Sequence, residues 1–231
     1  EGHTSLGFVS LFYDWDWATA DREFRTAQRL DSSFTPALLF HGWYDIAVGH
    51  PDSAIADLTR ARAMDPLSLI LNARLANMLY LARRFDEAIP QARQALTLDP
   101  SYGPAHGLLA QSYLALGRCD DAASEAAREG ETYGYEAFLG GVIAARCGRK
   151  QDAVQWIARL KARIRSGRYV SPEAIAIIYA GLDQRDSAFA WLDRAYTDRT
   201  WSLYTIEADP MLDGLRADPR FAALARRVGL P

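Results

Sequence analysis

Four histidines, two cysteines and several paired carboxylates are the residues of this 231-residue chain whose types could do chemistry. His3, His41, His50 and His106 could ligate a metal only with partners at the right spacing. They show neither the paired histidines of a zinc-binding helix nor a Cys-x-x-Cys companion, so no metal site is expected. His41 lies four residues before Asp45, on one helical face. That spacing predicts a His41–Asp45 hydrogen bond satisfying both groups, with a ligand role as the alternative. Cys119 and Cys147 are too few for a disulfide framework and fall in two different turns, so free thiols are expected. Asp120 and Asp121 could do acid–base work, but at a helix start they meet the helix dipole favourably. No Gly-x-Ser-x-Gly elbow, Gly-x-x-x-x-Gly-Lys loop or Gly-x-Gly-x-x-Gly turn is present. Neither catalysis nor a cofactor is therefore expected.

Charge gives no sign of a polyanion partner. The net charge is −3, and the first 70 residues hold ten Asp and Glu against five Arg and no Lys. Arg159, Lys161, Arg163, Arg165 and Arg168 form the one basic run. Without interleaved aromatics it reads as a solvated helix face, not a nucleic-acid or lipid patch. No apolar run approaches the roughly 20 residues of a membrane span, and no signal peptide opens the chain. An apolar fraction of 49% is enough for a substantial core. Helix-like sequence follows Glu1 within a few residues, which suggests a piece of a larger protein in an undetermined compartment: cytoplasmic, or the extracytoplasmic domain of a membrane-anchored protein.

The elements that must position these residues are set by a repeat near 34 residues. Ala20, Phe24 and Ala27 recur as Ala54, Leu58 and Ala61, and then as Ala88, Ala92 and Ala95, while Ser32, Pro66 and Pro100 close the three units. Arg83 to Ala88 and Gly117 to Ala122 are matching turn-and-helix-start strings, each with an aspartate placed to cap the second helix. Ala122 and Ala126 keep the step, Gly148 and Ala153 arrive 31 residues on, and Ala188, Leu192 and Ala195 follow after 35 more. An alanine where two helices cross lets their axes approach to about 8–10 Å. Pro90 should bend its helix slightly. Glu129 replaces a small residue and should loosen the fourth unit, and Gly130, Gly134, Gly140 and Gly141 mark the most deformable point. Trp15, Trp17, Trp156, Trp191 and Trp201 are expected in the core or at its caps.

At these residues the chain resembles the tetratricopeptide-repeat (TPR) family. The resemblance implies an all-α, right-handed superhelical solenoid of about six helix pairs over residues 1–202. A C-terminal cap over 203–231 would pack on the last repeat. Tyr13-Asp14-Trp15-Asp16-Trp17, Tyr169-Val170-Ser171-Pro172, Ala188-Phe189-Ala190-Trp191-Leu192 and the ending from Asp209 to Pro231 resemble, more narrowly, the TPR sensor halves of bacterial winged-helix regulators, nucleotide cyclases and serine/threonine kinases. That implies a recognition module, not a catalyst.

The family's geometry puts the first helix of each unit on the concave side, where three rows can be read. They run Val9, Trp43, Asn77, Gln111, Val142; Phe12, Ile46, Tyr80, Leu114, Ala145; and Ser5, Leu39, Ala73, Gly107, Phe138. The rows are apolar and aromatic with central amides, and lack the Lys and Arg of the carboxylate-clamp variety. Phe12, Leu39, Trp43, Ile46, Asn77, Tyr80, Gln111, Leu114 and Phe138 are the candidate binding residues. The expected occupant is an apolar peptide, a partner's helix or the chain's own flanking segment, its backbone bonded by the two amides. The alternative is a homodimer interface. Trp43 is either a ligand anchor or a core residue that the register misplaces. No nucleic acid or membrane partner is expected.

Overall fold

The computed structural model describes residues 1–129 and 138–230. Six helix pairs follow one another: α1 (Gly2–Val9) with α2 (Trp17–Leu30), α3 (Thr35–Ala47) with α4 (Pro51–Met64), α5 (Leu69–Leu81) with α6 (Phe85–Leu98), α7 (Gly103–Ala115) with α8 (Cys119–Ala126), α9 (Leu139–Arg146) with α10 (Lys150–Arg165), and α11 (Pro172–Gly181) with α12 (Arg185–Thr197). A final helix, α13 (Pro219–Val228), lies against α12. No strand occurs among the described residues. The described residues form an all-α solenoid of helix pairs.

The small residues of the repeat do what close packing asks of them. Ala20, Ala54, Ala88, Ala122, Ala153 and Ala188 are all essentially inaccessible, each where the two helices of a pair cross. Every turn within a pair passes through one left-handed residue: Trp15, Gly49, Arg83, Gly117, Gly148 or Asp183. Glycine takes that conformation freely, while the other three carry a cost of about 1–2 kcal/mol that surrounding contacts must offset.

Several expectations need correction. The aspartates after the turns do not cap: Arg84 and Arg118 stand at the N-cap positions of α6 and α8, with no side-chain cap bond. Each arginine instead reaches forward one turn, Arg84 to Glu87 and Arg118 to Asp121. Helix α6 continues through Pro90, whose early place in the helix costs a single backbone donor. Gly140 and Gly141 are points of close approach. A Cβ on Gly140 would sit 2.6 Å from the Trp156 ring, and one on Gly141 would meet Ile178. Gly130 and Gly134 lie outside the described residues. Helix α8 ends at Ala126, and the buried Glu129 carboxyl beyond it fills the space that a Cβ on Gly107 would need.

The cysteines are not free. Cys119, at the start of α8, and Cys147, at the C-cap of α9, form a disulfide with their Cα atoms 6.0 Å apart. Turns of successive pairs stack along one edge of the solenoid, and here they come closer than the full pair width assumed from sequence.

The two ends of the solenoid meet. Arg199, just after α12, donates to the Tyr13 carbonyl at 3.0 Å and stands over the Trp15 ring, which also packs against Tyr196. Gly229 backs onto Trp17 so closely that a Cβ there would lie 3.0 Å from the indole nitrogen. Between α12 and α13 the chain keeps contact with α11 of the last pair and also reaches across to α3. It turns inward as two 3₁₀ turns, Trp201–Thr205 and Pro210–Leu215, and crosses the concave face.

Candidate functional site: a cavity on the concave face

The inward segment is held at both ends. Tyr204 is almost fully buried, its ring edge-on to Phe12 at 4.8 Å and to Trp43 at 5.6 Å between centroids. Such aromatic pairs add about 0.5–1.5 kcal/mol each beyond the area they bury. At the other end Asp213 accepts two hydrogen bonds from the Arg83 guanidinium, one at 2.6 Å, and another from Arg216. The bidentate fork fixes direction as well as distance.

What remains of the groove is a cavity of about 800 Å³. Its floor is formed by Ala73, Asn77 and Tyr80 of α5 with Leu108 and Gln111 of α7. Trp43 and Phe138 close two sides, and Trp201, Tyr204, Thr205, Asp209 and Met211 of the inward segment form the opposite wall. Leu67 and Ile70, both exposed, stand at its margin. Arg74 lies over the Trp43 ring at 5.4 Å.

Five of the nine candidate residues line this cavity: Trp43, Asn77, Tyr80, Gln111 and Phe138. The other four do not. Phe12 lies under Tyr204, Ile46 and Leu114 are buried in the stack, and Leu39 is partly buried against the core. Trp43 is itself only 8% exposed because the inward segment covers it. Trp201, expected in the core or at a cap, stands 43% exposed at the cavity. The repeat register could not show this opposite wall, since residues 201–215 lie beyond the last repeat.

Burial disturbs two acids beside the inward segment, of which Asp209 lines the cavity. Glu173 on α11 is buried, which pushes its carboxyl up to about 7, against the Ser202 hydroxyl that pulls it back. Asp209 is raised to about 6, again by burial, although its carboxylate accepts from the Met211 amide at 2.8 Å. Burial also holds the Tyr80 phenol well above its usual range.

Away from the cavity, His41 departs from its expected pairing. Its Nδ1 is 2.9 Å from Asp57 of α4 and its Nε2 3.3 Å from Asp21 of α2, while Asp45 stands back at 3.8 Å. An (i, i+4) spacing placed both groups on one face, but the neighbouring helices offer carboxylates that reach the ring better. The basic run of α10 is also partly packed: Lys161 donates to the Tyr179 hydroxyl at 2.8 Å, and Arg159 lies over Trp156.

Two tetratricopeptide-repeat family models match the chain, at residues 41–103 and 79–128. No curated protein matches the sequence. Among solved structures, PilW, described as a widely conserved type IV pilus biogenesis factor, superposes with a TM-score of 0.59 at 20% identity, covering 71% of this chain and 77% of that one. Pseudomonas aeruginosa pilF gives 0.58 at 18% identity, covering 89% and 94%. A tetratricopeptide repeat protein from Parabacteroides merdae gives 0.57 at 12% identity, covering 99% and 100%. At such identities the likeness is one of fold. With repeat matches across residues 41–128 and the same helix-pair stack continuing on either side, the chain is a tetratricopeptide-repeat protein.

Proposed function

We propose that this chain is a non-catalytic recognition module whose concave cavity takes a short apolar segment of a partner protein. The observation that carries the reading is the convergence of five candidate groove residues and the inward C-terminal segment on one cavity of about 800 Å³. That volume is in the range of ligand pockets, roughly 300–1,000 Å³. It suits one or two side chains and their backbone, whereas a partner helix running along the groove would collide with residues 201–215. Asn77 and Gln111 offer a donor and an acceptor each to that backbone. The exposed margin at Leu67, Ile70 and Trp201 favours an apolar ligand.

The narrower resemblance supports a place in the sensing half of a larger bacterial regulator. The Cys119–Cys147 disulfide favours an oxidising compartment, and so an extracytoplasmic half, since such crosslinks persist outside the reducing cytosol.

Peptides selected from a random library on the whole chain test the site. They are expected to be rich in apolar residues and to bind Gln111→Ala and Ile70→Asp at least about tenfold more weakly, the loss of one good contact of about 1.4 kcal/mol. Undiminished binding to both variants moves the partner site off the cavity.

A further inference from the structure

Outside the cavity, in the second helix pair, a third metal-ligating group joins the two that (i, i+4) spacing already places on one helix face. His41 and Asp45 stand one turn apart on α3, and Asp57 comes from α4. One ligand atom of each lies within 4.8 Å of the other two. His41 Nδ1 is 2.9 Å from Asp57 Oδ2 and 3.8 Å from Asp45 Oδ2. Two ligands on a tetrahedral ion with bonds near 2.0–2.2 Å stand about 3.3–3.6 Å apart, so the two His41 separations bracket what an ion needs.

The second observation is Asp45 itself. Its side chain is 3% exposed, and its Oδ2 is shut off from solvent without a hydrogen-bond partner. Leaving a buried carboxylate oxygen unpaired is costly, and such groups call for an explanation. This oxygen faces the His41 ring at a separation too long for a hydrogen bond. The arginines around the cluster do not satisfy it: Arg60 pairs with Asp57 Oδ1 and Arg25 with Asp21. Gln28 donates to Asp57 Oδ2 at 3.2 Å, and Tyr44 stacks on the imidazole. The exposed His50 approaches the other oxygen of Asp45 at 3.9 Å. On the far side of the ring, Asp21 lies 3.3 Å from Nε2. A carboxylate there is the usual means of orienting a metal-bound histidine and raising its basicity.

We infer that His41 Nδ1, Asp45 and Asp57 form a binding site for a divalent transition-metal ion of the Zn²⁺ class, with Asp21 as the positioning carboxylate. One imidazole and two carboxylates suit such borderline ions. Two ligand carboxylates also neutralise the ion's charge, which an enclosed site requires. A fourth position falls to water or to His50, at the solvent side of the cluster. Because the ligands join α3 to α4 and Asp21 adds α2, the ion ties the first two repeats together.

The test is titration of the whole chain, first stripped with a chelator, with ZnCl₂ by calorimetry and by thermal melting. Saturation at one ion per chain with a rise in Tm is expected. Asp45→Asn should abolish that step while helix content by circular dichroism stays unchanged. Asp21→Asn should keep the stoichiometry but weaken binding about 10- to 100-fold. His106→Gln removes a separate histidine–carboxylate pair and should leave binding unaltered. Co²⁺ in place of Zn²⁺ supplies a readout independent of the variants' stability, through the visible absorption of a low-coordinate N/O site. Absence of a saturable one-to-one step with either ion overturns the site, as does binding unchanged in both Asp45→Asn and Asp57→Asn. His41 would then serve only as a cation bridging Asp21 and Asp57.

Discussion

Tyr204 meets Trp43 edge-on at 5.6 Å between ring centroids, which puts a residue from beyond the last repeat onto the concave face of the second. Through that contact the inward segment both buries part of the groove and builds the far wall of its cavity. The consequences are measurable.

Trp43 is a packed residue and not a free anchor. Trp43→Ala is expected to lower the free energy of unfolding by about 3–5 kcal/mol, as for other buried tryptophans cut to alanine. Urea denaturation of the variant checks this. A loss below about 1 kcal/mol would mean that Tyr204 does not cover Trp43 in solution.

The Arg83–Asp213 fork orients the inward segment more than it stabilises the protein. Both side chains are about two-fifths exposed, so solvent screening leaves it worth no more than about 1 kcal/mol. Asp213→Asn should therefore change Tm little, yet speed amide hydrogen exchange across residues 201–215. Unchanged exchange there would show that the aromatic contacts hold the segment without the fork.

Reduction of Cys119–Cys147 is expected to destabilise the chain. The bond closes a loop of 28 residues, for which the chain-entropy account gives roughly 3–4 kcal/mol. Melting with and without reductant, with Cys119→Ser as the control that loses its response to reductant, measures the effect. Equal melting of the oxidised and reduced chains would contradict it.

Glu173 makes stability fall as pH rises. Its folded pKa of about 7 exceeds the ordinary 4.5, so between those values the folded state holds a proton that the unfolded state has released. The stabilisation is complete below about 4.5, is lost progressively up to about 7, and is absent above. At roughly 1.4 kcal/mol per pKa unit the span is on the order of 3 kcal/mol. Glu173→Gln should flatten that window and be the more stable chain at pH 8. The raised His41 loses its own stabilisation as pH rises through its folded pKa, starting above 6.5, so the difference between wild type and variant isolates Glu173. An unaltered pH profile in Glu173→Gln would remove this group as the source.

The repeat was legible because it is local. Ala54, Leu58 and Ala61 sit on one helical face by spacing alone, and the face they make can only be buried by a neighbour of the same kind. The same logic put Trp43, Asn77 and Gln111 in one row, and all three reach the cavity. Local spacing failed where a partner came from another helix. Asp57 of α4 and Asp21 of α2 displaced Asp45 as the partner of His41, and Cys147 lies 28 residues from the cysteine it joins.

The sequence by itself determined the stack of six pairs, the alanines at its crossings and the apolar, amide-bearing character of the concave rows, because each follows from which residues recur on a helix face. Only the tertiary structure decided that the ends meet through Trp15 and Arg199, and that residues 201–215 fold back over Phe12 and Trp43. It also decided that His41, Asp45 and Asp57 converge. A periodic pattern fixes how each unit packs on the next, but the superhelical rotation that brings distant units within reach accumulates over the whole stack and is written in no single repeat.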